Sequence, residues 1–171
     1  VTLTPRARLT FAALTVPILA LSLTGCFNGQ QATTNVQATQ PSGDGVSGQI
    51  GNMKVNNATL VLGPTGSASA TLIMTISNVG TAQDSLVGAT IAGTVATVVP
   101  STGEITVPPQ ASANFGYVGA AYSINAVDFD TAASIYVPVT LAFKNSGILT
   151  LSVVTVDADG IYSGIVPGTV G

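Results

Sequence analysis

The stretch Ser134-Ile135-Tyr136-Val137-Pro138-Val139-Thr140-Leu141-Ala142-Phe143 decides the fold. Ile135, Val137, Val139, Leu141 and Phe143 fall on one side of an extended chain. Ser134, Tyr136, Pro138, Thr140 and Ala142 fall on the other. Side chains on a strand point alternately to opposite faces, so this pattern predicts a strand with one face in a core. Proline lacks the N–H that a sheet ladder needs, so Pro138 predicts an edge or a bulge at that point.

The same period runs outward in both directions. Ala58, Leu60 and Leu62 alternate with Thr59 and Val61, and Ala70, Leu72, Met74 and Ile76 alternate with Thr71, Ile73, Thr75 and Ser77. Leu149, Leu151 and Val153 continue the pattern after Phe143. Turn signals separate the runs: Gly63-Pro64, Asn78-Val79-Gly80, Ala92-Gly93, Ser101-Thr102-Gly103, Pro108-Pro109 and Asn145-Ser146-Gly147. Gly supplies backbone angles that other residues resist, while Pro and Asn favour tight turns. No stretch carries a helical period. Short strands punctuated in this way predict an all-β antiparallel sandwich. The dense run Val95-Ala96-Thr97-Val98-Val99 reads as sheet core, ended by Pro100.

Upstream of the strands the chain changes character. Arg6 and Arg8 precede an uncharged stretch over residues 9–24, interrupted by Pro17. A comfortable transmembrane helix needs about 20 apolar residues, so this shorter segment reads as a secretory signal. It ends in Leu23-Thr24-Gly25-Cys26, which resembles the lipobox of bacterial lipoproteins. The resemblance implies cleavage before Cys26 and a diacylglyceryl group on its sulfur. Two acyl chains give stable anchoring, at about 0.8 kcal/mol per buried CH₂. Residues 1–25 are then the signal peptide, 26–47 a polar lipidated tether, 48–157 the sandwich and 158–171 a loose tail. The tether, rich in Gln, Thr, Asn and Gly, has too little apolar surface to offset its ordering entropy.

Composition excludes much else. Only 6% of the 171 residues are charged, and there is no His, no Trp and one Cys. Nucleic-acid binding requires clustered Lys and Arg, of which the whole chain has four. Without His there is no Ser-His-Asp triad and no imidazole metal site. One Cys allows neither an internal disulfide nor a CxxC pair. After Cys26 the chain keeps Lys54 and Lys144 against seven acids, a net charge of −5. It has no basic patch for anionic lipid heads, so attachment to the membrane is expected through the acyl chains alone.

The remaining candidates are few. Asp128 with Asp130, and Asp157 with Asp159, have the spacing to share a face and hold a hard cation, but no further ligands follow, so they read as solvated turn carboxylates. Asp84, six residues after Asn78, reads as an acceptor of backbone N–H groups that fixes a turn together with Asn78 and Gly80. Met74 belongs to a core alternation, and with Met53 it makes an incomplete soft-metal set. Asn57-Ala58-Thr59 matches a glycosylation sequon, read as accidental in a bacterial lipoprotein.

The phrase Met74-Thr75-Ile76-Ser77-Asn78-Val79-Gly80-Thr81-Ala82-Gln83-Asp84-Ser85-Leu86-Val87-Gly88-Ala89, followed by Leu141-Ala142-Phe143, Gly147 and a Val-rich last strand, resembles the PCuAC family of periplasmic copper chaperones. Gly48-Gln49-Ile50-Gly51-Asn52-Met53-Lys54-Val55-Asn56-Asn57-Ala58 extends the likeness to actinobacterial lipoproteins of the LpqE type. The resemblance covers residues 69–156 and implies a cupredoxin- or immunoglobulin-like sandwich. It places the family's Gly-x-His-x-Met element at Gly119, Ala121 and Ser123, and its first His near Thr97, Val98 and Val99. Every one of those His and Met positions holds another residue. Soft Cu(I) needs thioether or imidazole donors, which Ala121 and Ser123 lack, so no metal and no cofactor are expected. The expected function is a non-catalytic, membrane-anchored module of the cell envelope, with an envelope protein, glycan or lipid as partner. A degenerate copper chaperone using Met53 and Met74 is the alternative.

Overall fold

A computed structural model describes residues 45–99 and 103–165, all within the second of the chain's two units, Pro41–Gly171. The signal peptide, Cys26 and the tether as far as residue 44 lie outside the described residues. Eleven strands follow in order: β1 (Val46–Ile50), β2 (Met53–Leu62), β3 (Ser69–Asn78), β4 (Asp84–Ile91), β5 (Thr94–Val95), β6 (Thr97–Val99), β7 (Ile105–Val107), β8 (Ser112–Phe115), β9 (Ser123–Val127), β10 (Tyr136–Phe143) and β11 (Gly147–Asp157). No α-helix occurs among the described residues; one 3₁₀ turn spans Gly160–Tyr162.

The strands form two sheets that share β11. In one, β10 is flanked by β4 and β11, and β4 in turn pairs with β5 and β7. In the other, β2 lies between β1 and β3, and β3 carries β8 and β9, with β6 beyond β9. The end of β11 joins them: Thr155, Val156 and Asp157 run parallel to Leu60, Val61 and Leu62 of β2. Every other ladder is antiparallel, and the architecture is the all-β sandwich that the alternation indicates.

The core lies between the sheets. Leu60, Leu72, Met74, Ile76, Val139, Leu141 and Phe143 are all buried in one cluster. Two bulges adjust the alternation. The β2–β3 register shifts between Asn56 and Thr59, where Asn57 has φ +56. The β4–β10 register slips so that Phe143 faces Leu86 and Ala142 faces Gly88, leaving Val87 without an opposite. An extra residue turns the following side chains to the other face, which is why Leu86 and Ala89, three apart, are both buried.

Pro138 resolves in an instructive way. β10 is a central strand, but β4 ends at Ile91, opposite Val139. The Pro138 carbonyl accepts the N–H of Ala92 at 2.8 Å, on the β4 side. Its missing N–H faces that side too, one residue beyond the ladder, so the defect is local.

The second face of β2 and β3 is not bare. Val61 and Ile73 are buried beneath Ile165, with Tyr117 and Tyr162 packed beside them. Ala158, Tyr162 and Ile165, in the stretch read from its Gly content as a loose tail, therefore pack against the sheet over Val61 and Ile73, while the residues between them stay exposed. At the other end β1 begins at Val46, two residues inside the expected tether, and the Gly45 N–H donates to Asn57 Oδ1 at 3.1 Å.

Candidate functional site

Three parts of the domain concentrate polar or concave structure. The first is the turn between β3 and β4. The Asn78 side chain is buried; its Nδ2 donates to the carbonyls of Ala82 (2.8 Å) and Val107 (3.1 Å), and its Oδ1 accepts the Gly80 N–H at 2.9 Å. Gly80 has no room for a side chain, since a Cβ there would lie 2.7 Å from Asn52 Nδ2. Asp84 anchors the far side. One carboxylate oxygen accepts the N–H groups of Ser85 (2.7 Å) and Asn145 (2.9 Å), and the other accepts that of Ser146 (2.9 Å). Burial alone raises this carboxyl. Hydrogen bonds from Ser146, Asn145 and Ser85 outweigh it and hold Asp84 below the ordinary carboxylate value. No base or nucleophile joins this network, whose geometry is that of a clasp between the β3–β4 turn and the β10–β11 hairpin.

The second part is the region in which the sequence resemblance expects metal. β6 and β9 bring its two halves side by side: Val99 pairs with Ser123 and Thr97 with Asn125. Beneath them the Thr71 hydroxyl donates to Asn125 Oδ1 at 2.6 Å, and Asn125 Nδ2 donates to Ser123 Oγ at 3.0 Å. Thr71 and Asn125 are buried, and Ala121 is exposed on the loop before β9. Gly116 opens that loop at φ +71, where a Cβ would meet the Leu72 carbonyl oxygen at 2.6 Å. The donors here are hydroxyls and amides already engaged with one another. They do not fit a soft copper ion. Met53 and Met74 offer no substitute. Both are fully buried in the core, and Met53 pairs with Asn78, four residues along β3 from Met74, or about 13 Å at the usual strand rise.

Asp128 and Asp130 lie past the end of β9, exposed, and so do not share a strand face. Asp157 closes β11 and Asp159 precedes the 3₁₀ turn without capping it. Asp130 and Asp157 line a small polar cleft of about 160 Å³, but among the described residues no three His, Cys, Asp or Glu side chains converge. The sequon residue Asn57 is engaged in the β2 bulge, with Nδ2 3.4 Å from the Tyr117 hydroxyl.

The sandwich, with its sheets joined through β11, matches solved structures. It superposes on a copper-bound PCuAC domain from PmoF2 with a TM-score of 0.57 and 19% identity, over 64% of this chain and 97% of that one. The domain has the PCuAC fold. An apo PCuAC domain from PmoF1 gives a TM-score of 0.57 at 18% identity, over 66% and 99%. The apo PCuAC domain of PmoF2 gives 0.55 at 19%, over 67% and 98%. No family model and no curated protein matches the chain. The PCuAC fold thus accounts for the two-thirds of the chain in which the strands lie.

The third part is a groove on this PCuAC fold that alternation does not reveal. β4 is paired along its outer edge at both ends, Leu86 with Ile105 of β7 and Thr90 with Val95 of β5, but not at Val87 and Gly88. The chain leaves β5 for β6 in the other sheet and returns at Gly103, so the flanks part. The groove between them has a volume of about 450 Å³ and a mainly apolar wall. Val95, read as core from its apolar neighbours, stands 79% exposed at its rim, since β5 is a two-residue edge strand. Among the described residues the one salt bridge lies beside it, with Lys144 Nζ 2.9 Å from Glu104 Oε2.

Proposed function

We propose that this protein is a lipoprotein of the bacterial cell envelope, held at the extracytoplasmic face by acyl chains on Cys26. It presents its PCuAC-fold sandwich as a non-catalytic binding module. The observation that carries the reading is the state of the two halves brought together by β6 and β9. Where the sequence resemblance expects His and Met, the chain has Ala121 and Ser123, and Ser123 serves a hydrogen-bonded chain with Asn125 and Thr71. A scaffold kept without its soft donors is suited to holding a partner rather than copper.

The lipobox supports the anchor, and no helix among the described residues is long and apolar enough to cross a membrane. The residues between Cys26 and Gly45 act as the spacer, ahead of a domain whose strands begin at Val46. An envelope protein, glycan or lipid is the partner class, because the outer face of β4, β10 and β11 bears no charge: Thr90, Thr140 and Thr150 lie in one row across it, with Gly88, Ala142 and Ile148 in the next. Mass spectrometry of the protein extracted from membranes tests the reading. A diacylglyceryl adduct on Cys26 is expected, together with release to the soluble fraction in Cys26→Ser. An unmodified thiol on a membrane-bound chain contradicts it.

A further inference from the structure

We infer that Asp159 is a site of spontaneous isomerisation, and that its conversion to isoaspartate unlatches the C-terminal cover from β2 and β3.

The sequence holds two Asp-Gly pairs, Asp44-Gly45 and Asp159-Gly160. A glycine after aspartate has no Cβ to shield its backbone nitrogen, so that nitrogen can reach the short aspartyl side chain. In the reaction the Gly nitrogen bonds to Cγ of the Asp carboxyl, and its proton leaves with the carboxyl hydroxyl as water. A succinimide ring results. Water then adds to one of the two ring carbonyls and breaks its C–N bond. Opening at Cγ restores Asp, whereas opening at the original backbone carbonyl leaves the main chain running through Cβ. The water lost is regained, so no co-reactant is needed.

The two pairs differ in how free the nitrogen is. Gly45 is buried, and its N–H donates to Asn57 Oδ1 at 3.1 Å. Asp159 and Gly160 are both exposed, and Gly160 has φ +52 with open space around it. Among the described residues neither the Asp159 carboxylate nor the Gly160 N–H has a hydrogen-bond partner.

The product matters because of what Asp159 holds. Its carbonyl accepts the Tyr162 N–H at 2.8 Å, and the Tyr162 carbonyl accepts the Ile165 N–H at 2.9 Å. These two bonds set Tyr162 and Ile165 over Val61 and Ile73, both buried. Isoaspartate adds one carbon to the main chain at this point and turns the carbonyl away from the Tyr162 N–H. Gly160, Ile161, Ser163 and Gly164 are exposed, so little else keeps the cover in place. Once unlatched it bares an apolar face of the sheet, at a rate set by the age of the chain.

The test ages the Cys26→Ser chain in neutral buffer and maps its peptides at intervals. Isoaspartate is read by electron-transfer fragmentation and by methyl transfer from an isoaspartyl methyltransferase. Counting is peptide by peptide, because Asn28-Gly29 reaches the same product by loss of ammonia. Isoaspartate is expected to accumulate about tenfold faster at Asp159 than at Asp44, where the Gly45 nitrogen must first be freed by local opening. Asp159→Glu should abolish it, since Glu must close a larger and slower-forming ring. Gly160→Ala should slow it several-fold. Amide hydrogen exchange at Tyr162 and Ile165 should speed up in the aged wild type and stay slow in aged Asp159→Glu. Equal rates at Asp44 and Asp159, or isoaspartate at Asp159 with unchanged exchange at Tyr162 and Ile165, overturn the inference.

Discussion

Replacing Asp84 tests the clasp between the β3–β4 turn and the β10–β11 hairpin. The carboxylate is buried and accepts three backbone N–H groups at 2.7, 2.9 and 2.9 Å. Hydrogen bonds to a charged group contribute about 1.5–3 kcal/mol each, but they are not additive within one network. Asp84→Ala strands three donors, some of which water can reach once the side chain is gone, so the expected loss is about 3–5 kcal/mol. Asp84→Asn keeps one acceptor oxygen and turns an N–H toward the remaining donor, for a loss of about 2–3 kcal/mol. Urea unfolding of the Cys26→Ser protein at pH 7 measures both. The pH profile adds a signature that a packing defect lacks. The folded pKa of Asp84 lies below its unfolded value of 3.8, so its contribution is present above that value and is lost as pH falls through the folded pKa. Wild type should therefore lose stability below about pH 4, and Asp84→Asn should lack that part of the loss. A change under 1 kcal/mol in Asp84→Ala, or the same acid slope in Asp84→Asn, would refute the clasp.

Gly116→Ala should destabilise by about 2 kcal/mol or more, because it combines positive φ with a Cβ against the Leu72 carbonyl; thermal unfolding reads it. Asn125→Ala removes the acceptor of the buried Thr71 hydroxyl, and a loss of about 1–3 kcal/mol in urea unfolding is expected. Pro138→Thr should fall within about 1 kcal/mol of wild type in the same assay, since the N–H it restores has no β4 partner to meet.

The strands that sequence reveals are those whose faces differ. β10 alternates cleanly between core and surface, and so do β2 before its bulge and β3 from Met74 onward. Their inner residues, from Met74 to Phe143, are legible for that reason. Asn78, Gly80 and Asp84 are legible because turn chemistry is local: an Asn side chain caps its own turn two residues on. The groove is not legible, because it depends on a slipped register at Val87 and on β5 and β7 parting, neither of which leaves a period. Val95 looks like core in a line of apolar residues, yet it sits on a two-residue edge. The C-terminal cover is hidden for a similar reason. Val61 and Ile73 read as an outward face until Ile165, more than ninety residues on from Ile73, closes over it.

In this PCuAC-fold domain the polar groups of Thr71, Asn125 and Ser123 are hydrogen-bonded to one another and are expected to leave no site for Cu(I). Titration of the Cys26→Ser protein with Cu(I), in competition with a chromogenic small-molecule chelator, tests it most directly. The chelator is expected to keep the copper at every protein concentration. Stoichiometric transfer of Cu(I) to the protein would contradict it.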